Sequence, residues 1–495
     1  MVTKDATRGA LDRTKKLALL VLCAQLFLDS MDVSLMGVAL PQIQRQLDLP
    51  ESTLQWLISG YAVAYGGFLL LGGRAADLFG RRRVFLVATA VFAVASLAGG
   101  FLSDGTAIVI TRVIKGVAAA FIAPAALSII ITTFPEGPQR NRAMAVFSLT
   151  GASGYSAGLV LSGVLTEASW RLTFFAPVPV ALLVLLLTPR VVRRDEPSTG
   201  ERRGFDLAGA TTVTAGLLLF VYALTQGPRI GWLSGGTLLM LTAAVALLVA
   251  FVVIEQRQAN PLVPLGVFRT RSLGAANLVG LFWACATIGW QFVAVLYLQQ
   301  TLGYGALEAG LAILPMGLSI LVVVNFAPRL IALLGLRWLA VLGMLVQGAG
   351  ILLFLRADAD SGYLTVLLPA LVVHGIGNGL SFPAFNIAGV SGATEGRQGL
   401  AAALITASVQ LGGGLGVAVL AALLSAAGPG QLVGFHRAFL VAGVFSAVGA
   451  VIAAVGLRPQ PPTVETRVES EDDLALSLGD SEALSASGPD PTIRP

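Results

Sequence analysis

Four ionisable residues fall inside stretches of sequence that are otherwise apolar and long enough to cross a bilayer. Asp29 and Asp32 lie in the first apolar run of the chain, and Arg112 and Lys115 lie in the fourth. A charge near the bilayer centre costs a few kcal/mol even on insertion scales, and such residues commonly mark transport pathways. We therefore take these four residues as candidates for a proton-coupling and substrate site.

The spacing of the four residues predicts that they meet. Asp29 and Asp32 are three positions apart, so both carboxylates lie on one face of a helix. At 1.5 Å of rise per residue, Asp32 and Lys115 both come about 22 Å from the same membrane surface, and Arg112 about one turn further. A carboxylate beside these bases is suited to gain and lose protons as water access alternates. The competing interpretation is a structural ion pair that ties two helices together.

The composition predicts a polytopic membrane protein and excludes several other classes. Of the 495 residues, 56% are hydrophobic and 12% are charged, unlike an average water-soluble domain. Two histidines and two cysteines offer no metal-ligand spacing. None of the four lysines precedes Ser or Thr, as a nucleotide-binding P-loop requires. We expect no enzymatic activity, no metal and no cofactor, with a proton gradient as the energy source.

The pattern of apolar runs and arginines sets the expected topology. Arginine-rich connections alternate with arginine-poor ones, so the net charge of +5 indicates topology and not nucleic-acid binding. By the positive-inside rule both termini are cytoplasmic, in a multi-pass protein of the plasma membrane. About fourteen spans are predicted: 17–40, 53–73, 84–103, 106–133, 142–166, 171–190, 206–226, 233–255, 272–300, 308–330, 336–355, 363–386, 398–426 and 435–457.

A weak internal repeat divides the chain into two halves. The loop after span two, GGRAADLFGRRRVFLVATAVF, and the loop after span ten, APRLIALLGLRWLAVLGMLV, share the order small residue, Arg, Gly, Arg, apolar run. The predicted parts are a cytoplasmic N-terminus 1–16, a six-helix bundle 17–190, a cytoplasmic linker 191–204, two inserted helices 205–258, a second six-helix bundle 271–457 and a disordered acidic cytoplasmic tail 458–495.

Two motifs carry a family resemblance. GRAADLFGRRRV at 73–84 resembles the cytoplasmic-loop signature of the major facilitator superfamily, on Gly73, Asp77, Gly80, Arg81 and Arg82. From the residues alone, Asp77 can accept from free amides or pair with an arginine such as Arg142. GASGYSAGLVLSG at 151–163 indicates close helix packing, and it resembles the span-five signature of antiporters in that superfamily, on Gly151, Gly154, Gly158 and Gly163.

Over roughly residues 17–457 the chain resembles the fourteen-helix drug:proton antiporter family of the major facilitator superfamily. MDVSLMGVALPQI, with Asp32 at the motif aspartate, is similar to its first-helix motif. The resemblance implies an all-α integral membrane fold with two six-helix bundles and two inserted helices. It also implies export of amphipathic drugs or antibiotics, driven by the proton-motive force, by drug/proton antiport, and a functional monomer.

Other functions fit the same residues. The chain could export an endogenous metabolite, a lipid or a siderophore, or take up a substrate by symport. A more remote alternative is a non-transporting membrane sensor or scaffold on the same fold.

The chain departs from the family pattern at the candidate site. It has Gly37 where Asn is usual, Lys115 where Gln is usual, Asp29 as an added acid, and no proline near Ser156. Asp29 and Lys115 could form a compensating pair that leaves Asp32 with Arg112. Alternatively, Asp29 selects a cationic substrate or Lys115 an acidic one.

Polar and aromatic residues interrupt the apolar spans of the second half. The candidates for a substrate cavity near the bilayer midplane are Trp283, Trp290, Gln291, Asn378 and Gln410. Taken singly, a residue of this kind more often makes an interhelical hydrogen bond than binds substrate.

Overall fold

The structure is a computed structural model that describes residues 13–134, 138–193, 206–258, 261, 263, 266, 271–391, 398–428 and 431–457. Most of the predicted N-terminal segment and linker, and the whole predicted acidic tail, lie outside the described residues. Within these ranges all regular structure is helical. The all-α prediction is therefore confirmed.

The described residues form fifteen α-helices: α1 Arg13–Leu47, α2 Glu51–Phe79, α3 Arg81–Phe101, α4 Gly105–Thr133, α5 Pro138–Ala168, α6 Arg171–Phe175, α7 Pro177–Val191, α8 Leu207–Ile230, α9 Gly235–Arg257, α10 Arg271–Leu296, α11 Ala306–Val324, α12 Ala327–Leu353, α13 Leu368–Ser391, α14 Gln398–Ala427 and α15 Leu432–Gly456. Short π-helical turns, Tyr297–Thr301 and Tyr363–Leu367, continue α10 and lead into α13. A 3₁₀ turn, Phe354–Arg356, follows α12.

Twelve helical segments in the described part of the chain are long and apolar enough to cross a membrane, and α6 with α7 forms one of them, Arg171–Val191. Two further long helices, α5 and α8, are not among the twelve, although α8 contains the shorter apolar stretch Ala208–Leu224. The protein is thus a multi-pass membrane protein, and the count of fourteen stays a prediction.

The outer surface of the helices suits hydrocarbon. Val94 of α3, Leu186 of α7 and Leu239 of α9 are 67%, 63% and 71% exposed, and many other large aliphatic side chains share this surface. A water-soluble monomer rarely exposes so much contiguous apolar surface. The helices therefore present a face to lipid and bury their polar groups inside the bundles.

The helices form two six-helix bundles with the same internal packing. In the first bundle α1 packs on α5 and α7, and α4 packs on α2 and α3. In the second bundle α10 packs on α14 and α15, and α13 packs on α11 and α12. Each of these contacts in the first bundle thus has a counterpart eight spans later, with α6 and α7 counted as one span. The predicted fold class is confirmed, whereas the exact domain boundaries stay predictions.

The repeat seen in the sequence is present in the backbone. Gly80, between α2 and α3, has φ +92°, and Gly335, where α12 kinks, has φ +72°. Side chains with a Cβ rarely adopt this conformation, so glycine permits the same tight turn in both halves.

The two bundles are joined at one end. We call the side where α1 begins the N-terminal face and the other side the opposite face. Near the opposite face one apolar core contains the end of α1, with Leu40 and Ile43, and the end of α10, with Val295. Gln299 there donates from Nε2 to the carbonyl of Val38 at 3.1 Å.

Nearer the N-terminal face the apolar cores of the bundles are largely separate. One core is built from first-bundle residues with Ala407 of α14, and the other is built from second-bundle residues. The bundles therefore share one apolar core near the opposite face. Toward the N-terminal face their cores are largely separate, and the bundles meet where α2 packs on α14, with Gly66 against Ala407 and Leu411.

Helices α8 and α9 form a pair beside the contact between the two bundles. The Asp206 side chain accepts from the amide of Gly209 at 2.7 Å and caps the start of α8. Helix α8 packs on α2 and α14, where Val221 joins Val63 and Ala418 in a small apolar cluster. The pair predicted as an insert thus covers a contact between the two bundles.

Glycines of α5 allow α1 to approach closely. A Cβ added at Gly154 would lie 2.6 Å from the carbonyl oxygen of Phe27, and one added at Gly158 would lie 2.8 Å from that of Met31. Both distances are too short for a real contact, so only glycine fits unless the helices separate. The packing role predicted for this stripe is confirmed.

We expect Gly158→Ala to destabilise the protein, because the added methyl group meets the backbone of α1. Overpacking of this kind costs on the order of 1–3 kcal/mol. Thermal unfolding of the purified protein in detergent should show a lower midpoint. Gly37→Ala is the matched control, because a Cβ there has nothing within 4 Å. Equal midpoints for the two variants would contradict the packing argument.

Candidate functional site

Three of the four predicted residues form one buried ion cluster. Arg112 donates from Nη1 to Oδ2 of Asp32, and Lys115 donates from Nζ to Oδ1 of the same carboxylate. The side chains of Asp32, Arg112 and Lys115 are 2%, 1% and 0% exposed. The cluster links α1 to α4, as the depth calculation from the sequence predicted.

Neutral groups complete the hydrogen bonding of the two bases. Arg112 donates from Nε to the carbonyl of Leu57 in α2 at 2.7 Å. Lys115 donates to Oγ of Ser96 in α3 at 2.9 Å, and Ser96 in turn donates to the carbonyl of Phe174 at 2.7 Å. Helices α2, α3 and α6 therefore all contribute to the site. The sequence offered no signal for these partners, because backbone carbonyls and an isolated serine look ordinary in an apolar span.

Aromatic rings enclose the bases. The Nζ of Lys115 lies 4.6 Å from the ring centroid of Phe92 and 5.5 Å from that of Phe174. The guanidinium carbon of Arg112 lies 4.6 Å from the ring centroid of Tyr61. These distances allow cation–π attraction, which is stronger where water is excluded. Lys115 thus extends from α4 toward α3 and α6.

Asp29 has a different environment from Asp32. Its carboxylate is 6% exposed and accepts a hydrogen bond from the hydroxyl of Tyr61 at 2.5 Å. No described lysine or arginine forms an ion pair with it. The pairing of Asp29 with Lys115 that the sequence left open is therefore not formed, because Lys115 binds Asp32 instead.

The glycine stripe of α5 explains the direction in which Asp29 of α1 points. Phe27 and Met31 face α5, and Asp29 lies midway between them in sequence. Two residues correspond to a rotation of about 200° around a helix, so Asp29 faces away from α5 and toward α2. Close packing on one side of α1 thereby fixes the direction of the acidic side.

Residues of the loop motif lie together at the N-terminal face, apart from the ion cluster. Gly73 belongs to α2, Gly80 forms the turn, and Arg81 begins α3. Arg82 donates from Nη2 to the carbonyl of Pro189 near the end of α7 at 3.2 Å. The side chain of Asp77 lies outside the described residues, so its predicted latch with an arginine stays a prediction.

The motif of α5 contacts both bundles. Gly151, Gly154 and Gly158 face α1, where a Cβ at Gly151 would lie 3.3 Å from the Leu26 side chain. A Cβ at Gly163 would instead lie 2.7 Å from Cα of Leu307 in α11. One helix therefore packs closely on its own bundle and on its neighbour.

Three of the predicted cavity residues lie inside the second bundle. Trp283 is 8% exposed and packs on Phe385 with ring centroids 5.8 Å apart. Trp290 is fully buried. Asn378 donates to Thr287 at 3.4 Å. For Asn378 the structure favours the alternative interpretation, an interhelical hydrogen bond.

The other two cavity candidates, Gln291 and Gln410, differ in their positions relative to the first bundle. Gln291 accepts a hydrogen bond from Tyr155 of α5 and so lies at the contact between the bundles. Gln410 is half-buried on α14. A role of these five residues in binding substrate stays a prediction.

The second bundle places a histidine where the first bundle has Lys115. Gly116 packs against the backbone of Tyr61 in α2, and Gly375 packs against the backbone of Met316 in α11. Lys115 and His374, each directly before one of these glycines, thus hold corresponding positions. His374 is fully buried and stacks on Trp290 with ring centroids 4.3 Å apart.

The family model of the Major Facilitator Superfamily matches residues 22–416 and, in a second match, 278–489. The chain belongs to this superfamily. It is 39% identical over 407 residues to the puromycin resistance protein pur8 of Streptomyces alboniger, covering 81% of this chain and 80% of that protein. It is 33% identical over 478 residues to the lincomycin resistance protein of Streptomyces lincolnensis, covering 95% of this chain and 97% of that protein.

The fold of this superfamily member agrees with a solved structure. The crystal structure of the POT family transporter PepTSo superposes with a TM-score of 0.68 at 16% identity, covering 88% of this chain and 97% of that one. At this identity the likeness concerns the fold alone. Together with the resistance proteins, these findings confirm the resemblance that the motifs indicated.

We expect Asp32 and Lys115 to be energetically coupled. Asp32→Asn leaves two buried cations without their anion, and Lys115→Met removes one of them, so the double variant should lose less stability than the two losses combined. Coupling between contacting residues is typically about 0.5–3 kcal/mol. The coupling energy is obtained from the unfolding free energies of the wild type, the two single variants and the double variant.

The control for this cycle is Lys115→Met combined with Asp48→Asn. Asp48 is exposed at the end of α1, with φ 49°, a conformation that asparagine tolerates. This pair should be additive. Additivity in the Asp32 cycle as well would contradict the ion cluster.

Proposed function

We propose that the protein exports amphipathic drugs or antibiotics by antiport with protons. The relatives named for puromycin and lincomycin resistance support this class of substrate. The structural observation that supports coupling is the buried carboxylate of Asp32 between Arg112 and Lys115. This carboxylate lies in the middle of the first bundle, and it can take up a proton when the two bases move away from it.

Protonation of Asp32 would change the packing of the first bundle. A neutral carboxyl group attracts Arg112 and Lys115 much less than a carboxylate does, so the link between α1 and α4 weakens. Deprotonation restores the link. A proton taken up on one side and released on the other can thus bias the equilibrium between two packings, as alternating access requires.

The proposed arrangement in the cell follows the charges of the loops. The N-terminal face, with Arg81 and Arg82, is cytoplasmic, so both termini are cytoplasmic and the membrane is the plasma membrane. The apolar cores of the bundles are largely separate toward that face, which fits entry of substrate from the cytoplasm. The transporter works as a monomer, without cofactor or enzymatic step, on the proton gradient.

The proposal predicts drug-induced proton release in energised inside-out vesicles. A panel of lipophilic cations, neutral antibiotics and organic anions is scanned against a pH-sensitive dye. At least one compound should collapse the pH gradient with the wild type, and Asp32→Asn should abolish the response while the protein still reaches the membrane. Lys115→Gln, which keeps Arg112 on Asp32, serves as the comparison. Coupled export by Asp32→Asn would disprove the role of this carboxylate.

The topology predicts which introduced cysteines are accessible from outside. Asp360 and Arg83 are exposed at the opposite and N-terminal faces, and the native Cys23 and Cys285 are buried. With a membrane-impermeant maleimide, Asp360→Cys should react in intact cells, and Arg83→Cys should react only in inside-out vesicles. The reverse pattern would show that the termini are not cytoplasmic.

A further inference from the structure

A second polar group lies beside Asp29 on α1. Gln25 precedes Asp29 by four positions, so both side chains lie on the same face of the helix, about one turn apart. Gln25 is fully buried. Neither the oxygen nor the nitrogen of its carboxamide has a hydrogen-bond partner among the described residues. A buried polar group without a partner costs about 1–3 kcal/mol, so this amide calls for a functional explanation.

Two tyrosines of α2 face these residues. Tyr61 donates to Asp29, and Tyr65 follows one turn later, with the two ring centroids 5.9 Å apart. Because α1 and α2 run in opposite directions, Tyr65 lies at the level of Gln25. Both tyrosines are almost completely buried, at 1% and 6% exposure. We call Gln25, Asp29, Tyr61 and Tyr65 the amide–acid pocket.

We propose that the amide–acid pocket binds a protonated amine of the transported substrate. The carboxylate of Asp29 and the carboxamide oxygen of Gln25 can both accept from an ammonium group. The tyrosine rings can attract the cation through their faces. This assignment rests on the proposed export function and names the substrate chemistry of that function.

The neighbouring charges favour a cationic substrate over an acidic one. Asp32 already binds two cations. Asp29 instead accepts hydrogen bonds from the neutral hydroxyls of Tyr61 and Tyr65. Lys115, the base that could attract an acidic substrate, is fully buried against Phe92 and Phe174. Of the two alternatives left open by the sequence, the geometry supports selection of a cation by Asp29.

The position of the pocket suits approach from the N-terminal face. Gln25 and Asp29 precede Asp32 on α1, so they lie closer to the face where the bundle cores are separate. A substrate entering there meets the pocket before it reaches the ion cluster.

The charge balance of the site explains why an amine and a proton exclude each other. Asp29, Asp32, Arg112 and Lys115 are two acids and two bases, whose formal charges cancel. One added cation, either a proton on a carboxylate or an ammonium group beside Asp29, leaves one net positive charge. Adding both leaves two positive charges in a low-dielectric interior, which is strongly unfavourable. Exchange of one for the other is the basis of antiport.

Binding of a matched pair of probes to the purified full-length protein in nanodiscs tests the proposal. Dansylcadaverine carries one primary ammonium group, and its N-acetyl derivative has the same fluorophore without that charge. We expect the wild type to bind the amine at least tenfold more tightly than the amide. Asp29→Asn should remove this preference, and Asp29→Glu should restore part of it.

Two further variants keep the test decisive. Asp48→Asn makes the same chemical change at an exposed residue and should keep the full preference for the amine. Gln25→Leu should weaken amine binding more than amide binding, and it replaces Asp29→Asn if that variant fails to fold. Equal affinity of the wild type for both probes, no binding of the amine, or an unchanged preference in a folded pocket variant overturns the proposal.

The two proposals can fail separately. Proton release with any compound of the vesicle panel supports export even when the probe pair shows no preference. Amine preference without proton release for any compound supports the pocket and contradicts coupled export.

Discussion

Burial of the Asp32 carboxylate is the constraint on which the rest of the first bundle depends. A carboxylate in the interior of a membrane protein is tolerated only when cations and hydrogen-bond donors compensate its lost hydration. Arg112 and Lys115 supply this compensation from α4, and the backbone of α2, Ser96 of α3 and the rings around them complete it. Four helices must therefore keep their relative positions for one charge to stay buried, and a change in that charge acts on all four.

Close packing of α5 on α1 restricts the position of the acidic residues of α1. Gly154 and Gly158 let α5 approach α1 until backbone meets backbone, so α1 cannot rotate to move its acids elsewhere. Gly163 then connects α5 to α11 of the other bundle. Helix α5 therefore touches both the helix that carries the acids and the neighbouring bundle. Near the opposite face the two bundles share one apolar core, whereas near the N-terminal face each bundle has a largely separate core.

Lys115 and Asp29, two residues that depart from the family pattern, have different environments in the structure. Lys115 joins the ion cluster and serves the buried charge of Asp32, together with Arg112. Asp29 stays outside that cluster, with two tyrosine hydroxyls as donors and an unpartnered amide one turn away. The position in the second bundle that corresponds to Lys115 holds His374, stacked on Trp290, so the two halves repeat the fold but not the chemistry. The buried ion cluster lies in the first bundle, whereas buried amide and aromatic groups occur in both bundles.

The sequence alone determined the membrane class, the order and approximate limits of the helices, the repeat, and the common depth of Asp32, Arg112 and Lys115. Apolar length, arginine placement and helical rise are local properties, so they can be read along one chain. Only the tertiary structure decided that Lys115 pairs with Asp32 and not with Asp29, that Tyr61 and Ser96 belong to the site, and that Trp283, Trp290 and Asn378 lie within the second bundle. These choices depend on how helices rotate and pack against one another. A difference of one residue turns a side chain by about 100°, which no depth calculation can resolve.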